Sequence, residues 1–331
     1  MIASEALAAW LADPEAHRRS YQGVDNCVQR WSRHPLMTET ERALVALEDR
    51  TPEKVLGVAR AFLDRGDDID ALMSELLSSS AADPFFRPPF QPMASDVHNA
   101  FLLYNHPDLS IGLCVSGADM LAAKKAGPRG ATSIGLTGVT TLYRYLRAGG
   151  ATISFWEAPP ITDMFDSSRA GTARLVGRRA IHDGEEIVID GRYQGFVIEH
   201  ATSDLIFFQA LVRVDAAPVS IEYDSKTMSF IGASSTDEAS SRVEMIVSLL
   251  RTMEREDAVP LIIEALDSPH FYTRWHIMRE LLALDADAAL PHLRRMADGD
   301  PHPEVRAAAG QTLQLFFADE PAAAGDAQCR G

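Results

Sequence analysis

Two histidines, each with a carboxylate beside it, are the residues of this chain best suited to acid/base chemistry. Asp183 follows His182, His200 follows Glu199, and Tyr193 lies between the two pairs. Imidazole and carboxylate groups together transfer protons or bind a divalent metal, so these five residues are the catalytic set to expect if the chain is an enzyme. Neighbouring residues of a regular strand point to opposite faces, and only a bulge would bring Glu199 and His200 to one site. The alternative is that both histidines are ordinary surface or hydrogen-bonded residues.

A second pair of histidines is less suited to a shared site. His98 and His106 flank a predicted strand, with Asp96 and Asp108 nearby. Eight residues apart, the two imidazoles would lie on one side of a regular strand, but at ~3.3 Å per residue they are too distant to share a metal. The His-Pro-Asp sequence at 106–108 indicates a turn.

Several motifs that would define an enzyme class are missing from the sequence. It has no Gly-x-Ser-x-Gly nucleophile elbow, no Gly-x-Gly-x-x-Gly and no phosphate loop ending in Gly-Lys-Ser/Thr. We therefore expect no nucleotide cofactor. Cys27, Cys114 and Cys329 have no metal-binding spacing and leave an odd thiol, which favours a reducing compartment.

The elements that would position these residues have a period of two between Phe101 and Gly232. β-Branched and aromatic residues alternate there and are interrupted by Gly-Gly and Asp-Gly turns. About ten short strands at this spacing favour an antiparallel sandwich or barrel, with one helix near 118–125. The predicted strands are 101–104, 109–115, 139–146, 151–156, 173–180, 186–189, 193–199, 205–212, 219–223 and 228–231.

This order of strands and glycine-containing hairpins is similar to that of the cupin family. Cupin enzymes bind a metal through His-x-His and a later Glu in one motif and a His in a second. In the matching frames, Trp156, Ala158 and Gly195 occupy histidine positions. The resemblance therefore implies a metal-free barrel whose mouth binds an organic ligand, and a divalent metal is not supported by the motif. The residues that would line this mouth are Trp156, Glu157, Asp163, Arg192, Tyr193 and Gln194.

Residues 1–80 have helical periodicity and repeated helix-start signals. Asp13-Pro14 and Thr51-Pro52 each place a capping side chain before a proline, and Thr38 to Glu41 has the form of a capping box. Four or five helices are expected, with Trp10, Tyr21 and Trp31 in their core.

A proline-rich segment follows the helical region. From Ser78 to Pro92 a serine run leads into Asp-Pro-Phe-Phe-Arg-Pro-Pro-Phe-Gln-Pro, which favours an extended linker. Its three phenylalanines are expected to lie against a neighbouring domain. Recognition of this segment by a partner protein is the alternative.

An internal repeat of helical period occupies the region from Ser235 to Phe317. Arg242, Arg274 and Arg306 are spaced by 32 residues, and a leucine column repeats at the same interval at 249, 281 and 313. Val259-Pro260 and Leu290-Pro291 would begin the intervening helices, and Ser-Pro at 268–269 and Asp-Pro at 300–301 would form the turns. Each unit is thus a helical hairpin that must stack on its neighbour to bury its apolar face.

The segments 257–274 and 301–309 carry a resemblance to HEAT-like repeats of the phycobilin-lyase-associated type. The family implies a curved stack of hairpins with an arginine that braces the turn. We transfer this structural role to Arg242, Arg274 and Arg306. The resemblance implies binding of another protein and names no substrate.

Composition restricts the partners. The chain has 331 residues, is 46% hydrophobic and has a formal net charge of −16, which repels nucleic acid. No apolar run approaches the ~18 residues of a membrane span, and the first residues lack the basic start of a signal peptide, so a cytoplasmic location is expected.

Together these patterns predict an α+β multidomain protein. It would contain a helical domain (1–80), a linker (81–97), a β-barrel or sandwich domain (98–234), HEAT-like repeats forming an α-solenoid (235–318) and a flexible tail (319–331). The favoured function is non-catalytic binding of a small ligand and another protein, in a regulatory or accessory role. The alternative is a cupin-like enzyme of small-molecule or peptide metabolism.

Overall fold

The computed structural model describes residues 5–88, 92–94, 97–126 and 133–317. Within them, residues up to Pro160 and Gly171–Gly232 form one unit, and Ile161–Ala170 with the residues from Ala233 onward form another. The predicted tail, Cys329 and Phe90 lie outside the described residues.

Five helices begin the first unit within its described part. They are α1 (Glu5–Ala12), α2 (Pro14–Arg33), α3 (Pro35–Val45), α4 (Pro52–Leu63) and α5 (Gly66–Ala82). As predicted, Asp13 and Thr51 cap α2 and α4, each accepting a backbone N–H, and a proline follows each cap. The capping box at Thr38 was wrong: His34 caps α3 and Pro35 opens it, so Thr38 lies inside the helix.

The aromatic residues of this region differ in their burial. Trp31 is buried, but Tyr21 is 67% exposed, so its predicted place in the core was wrong. Helix α5 continues through the serine run to Ala82 before the proline-rich segment begins. There, as expected for linker phenylalanines, Phe85 stacks on Trp10 at 4.9 Å and Phe86 joins the helical core.

Twelve strands and one helix make up the rest of the β-rich region in the described residues. They are β1 (Pro92–Ala94), β2 (His98–His106), β3 (Leu109–Ser116), α6 (Ala118–Ala126), β4 (Ser133–Leu136), β5 (Thr140–Arg147), β6 (Thr152–Glu157), β7 (Arg174–Ala180), β8 (Glu186–Asp190), β9 (Gln194–His200), β10 (Leu205–Val212), β11 (Val219–Asp224) and β12 (Phe230–Ser235). All ten predicted strands are present, and the short strands β1 and β4 were missed.

The strands form three antiparallel sheets. Their orders are β1-β2-β3-β10-β5-β8, β12-β11-β4 and β7-β6-β9. The predicted antiparallel arrangement is confirmed, but the described strands do not close into a barrel, because β1 and β8 are edges of the large sheet and β4 and β9 approach without forming a ladder.

The large sheet is covered by apolar residues on both faces. Leu103, Ile111 and Phe208 share a core with the N-terminal helices. On the other side, Tyr143 and Phe207 share a core with residues of β6 and β9. The helices α1–α5 are therefore part of one folded unit with the large sheet.

Five helices and two 3-10 turns form the second unit's described repeats. They are α7 (Glu238–Thr252), the turn Glu256–Ala258, α8 (Val259–Glu264), the turn Ala265–Asp267, α9 (Phe271–Leu284), α10 (Ala286–Gly299) and α11 (Pro303–Phe316). Pro260 stands in the first turn of α8, as predicted. The predicted start of α10 at Leu290-Pro291 was wrong, because Asp285 caps the helix earlier and Pro291 lies inside it.

Candidate functional site

The first predicted acid/base pair, His182 and Asp183, lies on the turn that connects β7 with β8, two strands of different sheets. The Asp183 carboxylate accepts the backbone N–H of Ala148 at 2.7 Å, and the backbone N–H of His182 donates to Glu185 at 3.0 Å. Both side chains are exposed. These contacts stabilise the turn between the strands.

The two histidines are not neighbours in the sheet. Thr152 of β6 pairs with Ala180 on one side and with His200 on the other. Strand β6 therefore separates His200 from Ala180, the last residue of β7 before His182, and two strand spacings amount to roughly 10 Å. Among the described residues, neither histidine belongs to a group of three or more His, Cys, Asp or Glu side chains that could hold a metal ion.

A β-bulge occurs beside Glu199. The pairing of β6 with β9 shifts between Thr152, which faces His200, and Ile153, which faces Ile198. The register thus skips Glu199. A bulge of this kind allows two adjacent residues of a strand to point to the same face. His200 itself remains exposed.

Glu199 is the acceptor of a hydrogen-bonded cluster. Trp156 Nε1 donates to Ser154 Oγ at 2.9 Å, and Ser154 Oγ donates to Glu199 Oε1 at 2.6 Å. Two cations complete the cluster, because Arg178 lies 3.4 Å and Lys125 3.5 Å from the same carboxylate. From the sequence, Trp156 was a candidate ligand-binding residue and Glu199 a candidate catalytic residue. Only the alternation of residue types along β6 and β9 indicated that Ser154 would be buried.

The environment of Glu199 determines its charge. Burial acts to raise its pKa, but the Ser154 hydrogen bond and the charges of Lys125 and Arg178 outweigh burial and lower the pKa. A carboxylate held ionised in this way is a poorer proton acceptor at neutral pH than one with an unperturbed or raised pKa.

A second cluster of polar side chains lies where β6 ends beside β9. Glu157 faces Gln194 across the ladder, and Gln194 Nε2 donates to Glu157 Oε1 at 3.4 Å. Arg174 of β7 pairs with the other oxygen at 2.7 Å. Two predicted ligand-binding residues are thus brought together, with an exposed arginine that was not predicted.

The β8–β9 turn carries two more of the predicted residues. Arg192 forms a two-bond ion pair with Asp190, at 2.9 and 2.7 Å, which lowers the pKa of Asp190 and raises that of Arg192. Tyr193 is 37% exposed, and its backbone oxygen accepts the N–H of Ala158. The remaining predicted residue, Asp163, is exposed and belongs to the 161–170 segment of the second unit.

Buried polar side chains also lie between the layers of the first unit. Gln209 Nε2 donates to the Tyr143 hydroxyl at 3.3 Å, and Cys114 Sγ lies 3.7 Å from Gln209 Oε1. Burial raises the pKa of Tyr143 and of Cys114 to about 12, so both groups stay protonated at neutral pH.

The donor set does not fit a cupin metal centre. Trp156, Ala158 and Gly195 supply no imidazole at the matching positions. In the part of the chain that the structure describes, no three His, Cys, Asp or Glu side chains are grouped so as to hold a metal ion.

In the second unit, the repeated arginines brace the turns between helices. Arg274 donates to the carbonyl oxygens of Ser268 and Pro269, both at 3.0 Å. Arg306, one repeat later, donates to the equivalent oxygens of Asp300 and Pro301. Arg242 differs, because it pairs with Glu238 on its own helix. The structural role that the sequence implied holds for two of the three arginines.

A groove of about 630 Å³ lies beside these braced turns. Leu266 and Met296, each 8% exposed, contribute apolar surface. Charged side chains at its rim include Glu264, Asp267 and Arg295. This combination of an apolar floor and a charged rim is common in protein-binding surfaces.

The comparison with protein families agrees with this architecture. Residues 233–314, about a quarter of the chain, match the family described as HEAT repeats. The predicted resemblance of the C-terminal region is therefore confirmed. Helical solenoids of this kind present extended surfaces to other proteins. No curated protein shows significant similarity to the chain.

Solved structures that are similar to part of the chain include three different proteins. Ectoine synthase from P. lautus is 13% identical, with a TM-score of 0.23 over 37% of this chain and 67% of its own. The cupin domain of Cnp3 from Schizosaccharomyces pombe is 7% identical, with a TM-score of 0.22 over 35% and 60%. KdgF from Halomonas sp. is 11% identical, with a TM-score of 0.22 over 37% and 86%.

A cupin domain is thus among the solved structures that are similar to part of this chain. TM-scores this low carry no argument about activity. Within the described residues, no helix combines the length and the apolar character needed to cross a membrane.

Proposed function

We propose that this protein is a non-catalytic accessory protein that binds another protein through its HEAT-like helices and a small organic ligand through its β-rich region. The groove beside the arginine-braced turns is the observation that carries this proposal. Because Arg274 and Arg306 hold the backbone of both turns, the groove keeps its shape before a partner binds. A preformed surface loses less conformational entropy on binding.

The chemistry of the groove supports a polypeptide as the partner. Leu266 and Met296 provide the apolar area, and Met adapts to differently shaped side chains. Glu264, Asp267 and Arg295 offer both signs of charge at the rim. Rim charges of mixed sign select the orientation of a partner chain more than they add affinity.

The β-rich region supports binding more than catalysis. Its candidate general base, Glu199, has a lowered pKa and is already bonded to Ser154 and two cations. Glu157 and Gln194, beside the exposed Arg174, instead present groups that can hydrogen-bond a polar ligand.

Protein capture with matched variants tests the interaction. The full chain, the double variant Glu264→Arg/Arg295→Glu and a control with the exposed α2 ion pair swapped, Glu15→Arg/Arg18→Glu, are used as bait with quantitative mass spectrometry. We expect at least one captured protein to fall tenfold or more with the groove variant and to be retained by the control. Capture that is indifferent to the groove variant contradicts the proposal.

Mass spectrometry of the purified chain tests the non-catalytic assignment. An organic ligand that is lost with Glu157→Ala/Gln194→Ala supports the proposal. Iron, zinc or manganese at near one ion per chain, lost when His182 and His200 are replaced, would overturn it in favour of an enzyme.

A further inference from the structure

Among the residues that the structure describes, none covers a broad apolar face of helix α7 at the start of the repeats. Met245 is 67% exposed, and Ile246 and Leu249 are each 56% exposed, with Val243 and Met253 beside them. Exposed aliphatic residues so closely grouped on one short helix are uncommon on a surface that has no partner.

The repeat register shows what covers the same face elsewhere in this chain. With the 32-residue spacing, Met245, Ile246 and Leu249 correspond to Ile277, Met278 and Leu281 of α9. These three residues of α9 are completely buried, at 0% exposure.

Helix α8 supplies part of the apolar surface that buries these residues of α9. Val259 and Ile262 of α8, the first helix of the same hairpin, belong to the core that contains Met278 and Leu281. In the hairpin of α7 the corresponding segment of the chain is strand β12 rather than a helix. Helix α7 therefore has the apolar face of the second helix of a hairpin, but in the described residues a strand stands where the first helix of that hairpin would be.

The spacing of the exposed residues suits a helical occupant. Ile246, Leu249 and Met253 follow the i, i+3, i+7 pattern that packs against another helix. Methionines at 245 and 253 allow such a surface to adapt to the partner's side chains.

Charge indicates the polar character of the occupant. The exposed residues Glu254 and Glu256 follow this face at its C-terminal end, whereas Glu238 at its N-terminal end is paired with Arg242. The chain as a whole carries a net charge of −16, so a second copy would be repelled whereas a basic partner would be attracted.

We propose that α7 is the docking site for an amphipathic helix of a partner protein, with aliphatic residues at i, i+3, i+4 and i+7 and Lys or Arg at its flanks. The partner helix takes the place of the missing first helix of the hairpin and continues the core that already contains Val247 of α7. This inference rests on the proposed interaction function but uses a surface separate from the groove.

Oxidation of methionines in the free full-length chain tests whether the face is available. With dilute hydrogen peroxide, Met245 and Met253 are expected to oxidise at least tenfold faster than Met278, which is buried in the equivalent helix. Equal, slow oxidation of all three would show that the face is already covered and would overturn the proposal.

Binding of a designed peptide tests the occupant. The probe is a fluorescent 18-residue helix with leucines at the stated spacing and lysines at its flanks, and the control is a scrambled peptide of the same composition and charge. We expect the probe to bind the full chain at least tenfold more tightly than the control. Ile246→Glu/Leu249→Glu should weaken probe binding tenfold or more while far-UV circular dichroism stays unchanged.

The groove variant Glu264→Arg/Arg295→Glu separates the two proposals. It should keep normal peptide binding even where protein capture by the groove is lost. Equal affinity for the scrambled peptide, or no effect of the α7 variant, refutes the helix as occupant. A dimer in sedimentation velocity that dissociates with Ile246→Glu/Leu249→Glu would assign the face to a second copy instead.

Discussion

Arg274 of α9 forms a nearly buried ion pair with Asp300, the residue that begins the turn of the next repeat. Its Nε and Nη2 atoms lie 2.8 and 2.7 Å from the two carboxylate oxygens, and the side chains are 11% and 4% exposed. The same guanidinium also holds the carbonyl oxygens of its own turn. One side chain thus connects two successive repeats, and the two-bond geometry explains why arginine, rather than lysine, fits this position.

Removing this arginine should destabilise the helical repeats. Arg274→Ala leaves the Asp300 carboxylate buried and unpaired, so we expect a loss of about 3–5 kcal/mol in the free energy of unfolding. Urea denaturation followed by hydrogen exchange in peptides from α9 to α11 measures it. The control Arg242→Ala, at an exposed pair, should change the value by less than about 0.5 kcal/mol. Equal effects of the two substitutions would contradict a bracing role for Arg274.

Acid should weaken the helical repeats through His302. This residue is 4% exposed and stacks on Phe271 with ring centroids 3.8 Å apart. Burial lowers the pKa of His302, although Glu304 and Asp300 oppose the effect. The folded state therefore binds fewer protons than the unfolded state, and stability falls as the pH drops below about 6.5.

The variant His302→Phe keeps a ring beside Phe271 and removes this titration. Urea midpoints of the repeats at pH 7.5 and 5.5 should differ less in the variant than in the parent chain. Some dependence should remain, because burial and Arg295 also lower the pKa of His292. The control His182→Gln, at an exposed position, should leave the difference unchanged. A pH response that is identical in the parent chain and His302→Phe would refute the assignment.

Ser154 should contribute to the stability of the first unit. Ser154→Ala removes the acceptor of the buried Trp156 Nε1–H and one donor to Glu199, which keeps Lys125 and Arg178. The indole N–H left without an acceptor costs about 1–3 kcal/mol. The fluorescence of the tryptophans during urea unfolding reports the loss, with Ser203→Ala, an exposed position, as the control. An unchanged unfolding midpoint would mean that the cluster does not stabilise the fold.

The charge of Glu199 adds a pH dependence to the same unit. Because its pKa is lowered on folding, the stabilisation it provides is present above the unfolded pKa of about 4.3 and is lost as the pH falls further. Glu199→Gln should therefore lower the free energy of unfolding at pH 7 and flatten its decrease between pH 5 and 3. Equilibrium urea titrations across this range measure both effects.

The close approach of two backbones at Gly195 should forbid a side chain there. A Cβ atom at Gly195 would lie 2.4 Å from the carbonyl oxygen of Gly135, which no rotamer change can relieve. Gly195→Ala is expected to cost about 1–3 kcal/mol. Gly177→Ala on β7, where a Cβ meets no atom within 4 Å, should be near neutral. A thermal shift of equal size for both variants would contradict this packing.

The alternation and repeat patterns in the sequence were sufficient to predict most elements. Strand β10 has the predicted bounds 205–212, because its alternating burial follows directly from its residue types. The 32-residue columns predicted the hairpins, since a repeat that cannot bury its own face has to stack. The short strand β4 was missed because four residues give too little periodicity to recognise.

Local signals failed where a competing local or tertiary contact decided the outcome. Thr38 has the form of a capping residue, but the earlier cap at His34 places it inside α3. Pro291 resembles a helix start, but Asp285 caps α10 before it. Tyr21 is aromatic and within a helix, but it lies on the face of α2 that no core covers.

The sequence by itself determined most of the helices and strands and where the repeats lie, because these depend on periodicity and on residues close in the chain. Only the tertiary structure decided which side chains meet. Ser154 and Glu199 are 45 residues apart and meet beside a bulge in β9, and Arg274 pairs with Asp300 of the next repeat. Contacts of this kind depend on strand register and helix stacking, which no local pattern of residue types specifies.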